Sequence, residues 1–153
     1  MKNISKKLNP WYVTGFCEGE VAFTFSRYEN VIRSLYFGIK LTRADQDLIY
    51  KLHNFFGAGR IFKVKSRRPD SRIHSGWSKP ALYFRITDTE GLKKVIKHFD
   101  EYPPQGLKAE SYKIWREMFF VLKIKKPVNY EKLERLAEKL SAASPRNQPW
   151  TEE

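Results

Sequence analysis

The sequence predicts an α+β fold in which helices pack against an antiparallel sheet of four strands. Two pairs of segments alternate apolar and polar residues with a period of two, which is typical of strands with one buried face. Each pair follows one segment with helical character and precedes another. The order helix, strand, strand therefore occurs twice, followed by further helices, and this order favours an α+β architecture.

The first helix is expected to begin at Asn9-Pro10, because asparagine caps helices and proline suits the first helical position. The segment 11–20 is apolar around most of its circumference until Glu18, which indicates a buried helix. Gly15 and Gly19 lie four residues apart on one face. Since each glycine costs about 1 kcal/mol relative to alanine in a helix, the pair predicts close approach of a second helix.

Two hairpins are expected to form the sheet. The first joins strands 21–28 and 34–42 through a link at 29–33, and the second joins strands 60–65 and 81–87. The basic loop 66–79 between the second pair is too long for a simple turn, so a functional or mobile loop is expected there.

Four further helices are predicted, at 45–56, 89–99, 108–123 and 130–140. Gly57 is expected to end the first of them and Asp88 to cap the second. His53 and His98 are interpreted as surface residues of these helices. The predicted organisation is a flexible arm at 1–9, one domain at 10–143 and a tail at 144–153.

The charge of the chain indicates a polyanionic partner. The 153 residues carry a net charge of +12, and residues 60–85 contain eight Lys and Arg against one acid, Asp70. On a folded, aromatic-rich domain this favours nucleic acid over anionic lipid. The single cysteine, Cys17, excludes an internal disulfide framework, fits a reducing intracellular compartment and is expected to serve packing. No apolar run is long enough to span a membrane.

The segment V-T-G-F-C-E-G-E at 13–20 resembles the signature motif of the LAGLIDADG homing endonucleases. The matching positions are Gly15, Phe16, Glu18, Gly19, Glu20 and Phe23. The element order, the R-A-D opening at Arg43 and Tyr102-Pro103 also resemble the family, over roughly residues 9–123. The resemblance implies the αββαββα LAGLIDADG fold, with an antiparallel four-stranded DNA-binding saddle and, in this chain, extra C-terminal helices.

The resemblance also implies a homodimeric, intron- or intein-type DNA endonuclease that hydrolyses both strands of a long pseudo-palindromic duplex. One motif per chain makes half an enzyme, so two motif helices would meet at a dimer interface comprising Trp11, Tyr12, Gly15, Phe16 and Gly19. Glu20 and the Gly19 carbonyl are the implied ligands of Mg²⁺. Mn²⁺ is expected to substitute, and Ca²⁺ to bind without supporting cleavage.

Two further residues, Arg43 and Gln105, match the family's active site by position, with Lys108 nearby, and all three are catalytic candidates. Glu18 is expected to support the helix junction instead. Val21-Ala22 departs from the family, which usually has glycine and a small polar residue there, and a β-branched residue can shift the turn or crowd a partner helix. This departure leaves an alternative open, namely a non-cleaving relative that binds DNA or acts on intron RNA as a splicing maturase.

DNA contacts are expected on the outward faces of the strands, because two-stranded ribbons fit the major groove. A homodimer on a two-fold axis matches a pseudo-palindromic target. The host compartment stays open between an organelle and a prokaryotic cytoplasm. The candidate DNA-binding residues are Thr24, Ser26, Tyr28, Arg33, Tyr36, Lys40, Lys63, Lys65, Arg67, Arg68, Trp77, Lys79, Tyr83 and Arg85.

Overall fold

Helices and strands follow one another in the predicted order. The computed structural model describes residues 7–65 and 79–144, so the loop 66–78 and both chain ends lie outside the described residues. The helices are α1 (Pro10–Glu20), α2 (Gln46–Phe56, after a 3-10 turn at Arg43–Asp45), α3 (Thr89–Glu101), α4 (Lys108–Phe119, continued by a π-helical turn at Phe120–Ile124) and α5 (Tyr130–Ala143). The strands are β1 (Val21–Tyr28), β2 (Val31–Thr42), β3 (Arg60–Val64) and β4 (Ala81–Ile86). The α+β prediction is confirmed.

The four strands form one antiparallel sheet in the order β1-β2-β4-β3. Phe37 pairs with Phe23 on one side and with Ile86 on the other. Since paired residues point to the same face of a sheet, this register gathers the apolar side chains on one face. That face is covered by the helices and is called the helix-covered face below, and the opposite one is called the open face.

The core lies between the helices and the helix-covered face. Its largest fully buried side chains include Trp115 from α4, Phe99 from α3 and the strand residues Phe37 and Phe84. The Trp115 indole N–H donates to the backbone oxygen of Thr24 at 3.1 Å. This bond lets a large aromatic side chain be buried without leaving its polar atom unpaired.

The first hairpin is tighter than predicted. Glu29 and Asn30 both have positive φ, 51° and 63°, as a two-residue turn requires, so β2 begins at Val31. Ser26 pairs with Ser34 and Arg27 with Ile32, which leaves Arg33 as the extra residue of a β-bulge.

The interpretation of His98 as a surface residue is wrong. His98 is 8% exposed, and its Nε2 lies 3.0 Å from the hydroxyl of Thr14 on α1. That hydroxyl donates to the Tyr102 backbone oxygen at 2.7 Å, so His98 Nε2 must carry the proton that Thr14 accepts. Burial lowers the pKa of His98 to about 4, and the histidine therefore ties α1 to α3 in its neutral form.

Candidate active site

Helix α1 delivers Glu20 directly to the start of the sheet. Glu20 is the last residue of α1 and is exposed, and Val21 is the first residue of β1. The Val21 amide donates to the Cys17 carbonyl and closes the helix. The Val21 side chain is 3% exposed and packs in the chain's own core. The β-branched residue therefore neither inserts a turn nor lies on the surface where a partner helix would meet it.

The C-terminal end of α1 is electrostatically suited to a cation. Glu18 and Glu20 occupy its last turn, which contains no basic residue, and the macrodipole is itself negative at this end. Lys108 of α4 donates to the Cys17 carbonyl at 3.3 Å. Among the described residues Glu20 makes no ion pair. Two carboxylates and a helix C-terminus thus contribute negative potential beside Glu20, which the Lys108 ammonium partly offsets.

Glu18 links α1 to the segment that precedes α4. Its carboxylate accepts hydrogen bonds from the backbone amides of Gln105 and Gly106. A Cβ on Gly106 would lie 3.1 Å from Glu18 Oε2, so glycine allows this close approach. These contacts agree with a supporting role for Glu18 at the helix junction.

A cleft of about 800 Å³ opens beside the end of α1. It brings Gly19, Glu20 and Lys108 together with open-face residues of three strands: Thr24, Tyr36, Lys40 and Tyr83. Arg43 and Gln105, which were expected nearby, do not line it. Arg43 is an exposed residue of the 3-10 turn, and the Gln105 side chain is exposed. The cleft is also lined by Ser141 and Ser144 at the end of α5, and no sequence pattern predicts their presence there.

The oxygen donors at Glu20 are those that Mg²⁺ prefers, namely a carboxylate and the backbone carbonyls of a helix end. Within residues 7–65 and 79–144, no group of three or more His, Cys, Asp or Glu is arranged to hold a metal ion. Cys17 is no alternative nucleophile, because burial raises the pKa of its thiol to about 12.

The exposed side of α1 carries the residues predicted for a dimer interface. A Cβ added to Gly15 or Gly19 would meet no atom within 4 Å, so packing inside the chain does not require either glycine. Trp11 and Tyr12 are 48% and 49% exposed, and Phe16 is half-buried. These residues leave an apolar, small-residue surface on the helix that bears Glu20.

The open face combines aromatic and basic side chains. The Arg85 guanidinium lies 3.9 Å from the centre of the Tyr36 ring, and the Tyr83 hydroxyl lies where a Cβ of Gly38 would be. Glycine at 38 thus makes room for the Tyr83 ring. By strand register the predicted residues Thr24, Ser26, Tyr28, Tyr36, Lys40, Tyr83 and Arg85 all lie on this face.

Other predicted DNA contacts have different placements. Lys63 pairs with Leu82, which puts it on the helix-covered side, so the expectation that it faces outward is wrong. The same register puts Arg60 and Phe62 on the open face. The sequence of β3 alone does not show this, because Ile61, Phe62 and Val64 are apolar and point to both faces. Arg33, Lys65 and Lys79 are exposed at the bulge and at strand ends. Arg67, Arg68 and Trp77 lie outside the described residues.

The fold and the site define an α+β protein with basic residues on one sheet face and an exposed carboxylate at the end of the adjoining helix. The chain belongs to the LAGLIDADG endonuclease family, whose family model matches residues 13–119. Among the described residues, no helix is long and apolar enough to cross a membrane.

Individual relatives agree with this assignment. The chain is 24% identical over 140 residues to the "Probable intron-encoded endonuclease 3" of Neurospora crassa, covering 88% of this chain and 24% of that protein. The structure of the meganuclease I-CpaMI bound to uncleaved DNA is 28% identical, with a TM-score of 0.65 over 84% of this chain and 41% of its own. The homing endonuclease I-TnaI, at 24% identity, shares the fold with a TM-score of 0.67 over 88% of this chain and 87% of its own.

The chain spans about a quarter to a third of the length of the curated relatives that it matches.

Proposed function

We propose that the protein is a site-specific homing endonuclease that acts as a homodimer and hydrolyses both strands of a long, pseudo-palindromic DNA duplex with a divalent cation. The observation that carries the proposal is the position of Glu20. It is an exposed carboxylate at a helix C-terminus, within the cleft that also contains the basic residues Lys40 and Lys108. A polyanionic substrate would meet this carboxylate unfavourably unless a cation lay between them.

The cation would be held by Glu20 and the Gly19 carbonyl of each chain, together with oxygens of DNA and water. When bound, a divalent ion such as Mg²⁺ or Mn²⁺ activates water and stabilises charge on the attacking and leaving oxygens. Ca²⁺ is expected to support DNA binding without cleavage. Lys40 and Lys108 line the cleft, where their positive charges would position the scissile phosphates.

A second copy of the chain would supply the other half of the site. The open space around Gly15 and Gly19 and the exposed Trp11 and Tyr12 support close helix packing there. Burying these aromatic side chains would also stabilise such an interface. Sedimentation tests this part: we expect a dimer at micromolar protein with or without DNA, and a strict monomer in both would contradict it.

The substitution Glu20→Gln is expected to reduce Mg²⁺-dependent cleavage at least about 100-fold, because it removes a metal ligand, and removal of mere supporting groups costs 10–100-fold. DNA affinity measured in Ca²⁺ should change little. The substrate is a duplex chosen by selecting cleaved sites from a random library in Mg²⁺.

The matched control is Glu110→Gln, an exposed carboxylate in the first turn of α4 outside the cleft-lining set, which should cut like the parent. Cleavage by Glu20→Gln at the parental rate would overturn the catalytic assignment. A parent that binds duplex DNA or intron RNA but yields no cleaved sites would favour the non-cleaving alternative.

A further inference from the structure

A second pocket, of about 700 Å³, lies away from Glu20, towards the opposite edge of the sheet. Glu20 precedes the edge strand β1, whereas this pocket lies where β3 begins and β4 ends. The last paired residue of β4 is Ile86, opposite Phe37, while β2 continues back to Val31. The sheet therefore has a notch beside the first half of β2. The notch is lined by residues including Ser34, Arg60, Phe62, Arg85, Asp88 and Lys123.

Lys123 reaches this notch from the helical side of the molecule. It belongs to the π-helical turn that continues α4, Phe120–Ile124, whereas Arg60 and Arg85 belong to the open face of the sheet. π-Helical turns inside α-helices are rare and occur frequently at functional sites. The early end of β4 lets a cation from the C-terminal helices line the same pocket as open-face residues.

The charge of the notch is positive and largely uncompensated. Within the described residues Arg60, Arg85 and Lys123 make no ion pair with a carboxylate. The one acid, Asp88, accepts a hydrogen bond from the Gly91 amide at 2.8 Å as the N-cap of α3, where its charge interacts favourably with the helix dipole. Three cations therefore meet one carboxylate that already has a partner.

The geometry suits a phosphate group. The Arg85 guanidinium is held over the Tyr36 ring, so little of its rotamer freedom is left to lose on binding. Lysine supplies a flexible point charge that phosphates accept from several directions. Contacts of this kind fix the position of a protein on a duplex without reading its sequence.

We propose that the notch binds a backbone phosphate of the duplex, with Lys123 as the contact that the C-terminal helices contribute. This inference rests on the proposed function, because it assumes that duplex DNA lies on the open face. It extends the interface beyond the strands and gives the π-helical turn a role in anchoring DNA away from the cleaved bond.

The test is the salt dependence of binding to a 40-base-pair duplex of mixed sequence, with Lys123→Ala and the matched control Lys125→Ala. Lys125 is an exposed lysine two residues further on and does not line the notch. The slope of log K against log salt is negative, and each lost phosphate contact decreases its magnitude by about 1. We expect that decrease for Lys123→Ala and for Arg60→Ala, and the parental slope for Lys125→Ala.

A parental slope in Lys123→Ala, or an equal decrease in Lys125→Ala, would overturn the proposal. A structural role for Lys123 at its helix end would lower the melting temperature instead, so each variant is also melted. A free-phosphate site is distinguished by titrating inorganic phosphate at constant ionic strength. A phosphate-dependent rise in melting temperature that Lys123→Ala removes, with an unchanged DNA slope, would also overturn it.

The outcome separates the notch from the nuclease proposal. If the parent binds the duplex but never cuts it, the endonuclease proposal is ruled out, and the comparison of salt slopes still tests the notch. If the parent cuts selected sites and Lys123→Ala has the parental salt slope, the endonuclease proposal stands and the notch proposal is ruled out.

Discussion

The two faces of the sheet differ in whether their basic residues have acidic partners. The ion pairs of the described residues lie on the helical side: each of the five includes at least one helix residue, although other helix lysines, such as Lys97 and Lys113, form none. The five pairs are Arg27–Glu134, Lys93–Glu90, Arg116–Asp100, Lys132–Glu117 and Arg135–Glu131. On the open face Lys40, Arg60 and Arg85 make none.

This difference shows where part of the net charge of +12 lacks acidic partners. Exposed ion pairs contribute little to stability, but on the helical side they cancel positive potential. Cations without acidic partners keep their full field, and that field attracts a polyanion. On the open face, the positive field of Lys40, Arg60 and Arg85 is therefore not offset by an ion-paired acid among the described residues.

The sharpest way to test the comparison uses two adjacent residues of β2. Phe37 is fully buried on the helix-covered face and Tyr36 lies on the open face. Phe37→Ala should lower the free energy of unfolding by about 3–5 kcal/mol, the usual cost of a cavity left by phenylalanine. Tyr36→Ala should cost far less in urea denaturation yet weaken DNA binding, because the ring supports Arg85.

The opposite pattern would refute the assignment of the two faces. If Tyr36→Ala unfolds the protein as readily as Phe37→Ala while leaving DNA affinity unchanged, the open face is a packing surface. Should Phe37→Ala be too unstable to purify, Phe37→Leu leaves a smaller cavity and reports the same sign.

A smaller effect is expected from removing one cation on each side. Lys40→Ala should lower the salt slope of duplex binding by about 1, as for a single lost phosphate contact. Arg135→Ala removes a cation already paired with Glu131 in α5, so its slope should stay close to that of the parent. Equal slopes in the two variants would mean that binding follows total charge and not its distribution.

The smallest effect concerns acid stability on the helical side. His98 has a pKa of about 4 in the folded protein because it is buried, against an ordinary 6.5. As pH falls below about 6.5 the unfolded chain takes up this proton first, so stability should decline until about pH 4. His98→Gln should flatten this decline in thermal melts relative to the parent.

The control for acid stability is His53→Gln, since His53 is half-buried and contacts the Gly59 carbonyl at 3.1 Å. If it flattens the decline as much as His98→Gln does, the acid sensitivity does not come from the α1–α3 contact.

Local patterns predicted most of the fold. Period-two alternation identified β1 to its exact ends, and Asp88 and Gly57 bound their helices as expected. The bulge at Arg33 was not predicted, because alternation of apolar and polar residues does not reveal an extra residue in one strand of a pair. The side of Lys63 depended on pairing with β4, and a shift of one residue reverses every side chain of a strand.

The lining of the cleft was predicted in part, since Lys108 and the strand residues Thr24, Tyr36, Lys40 and Tyr83 were all named from the sequence. Gly19 and Glu20 are neighbours in sequence, and the motif pointed to both. Lys123, Ser141 and the burial of His98 depend on how α4, α5 and α3 pack, which no single segment specifies. Arg43 and Gln105 do not line the cleft, although the resemblance to the family placed both near the active site.

In the proposed endonuclease, the direct junction of α1 and β1 would hold the cleavage site at a fixed distance from the recognition surface on β1. Since Glu20 is followed at once by Val21, Thr24 lies about 13 Å along the strand at about 3.3 Å per residue. No flexible spacer separates them, so in the proposed endonuclease the hydrolysed phosphate would stay at a constant distance from the bases that β1 would contact. On that proposal, exchanging side chains on the open face would select a new target sequence without moving the position of the cut.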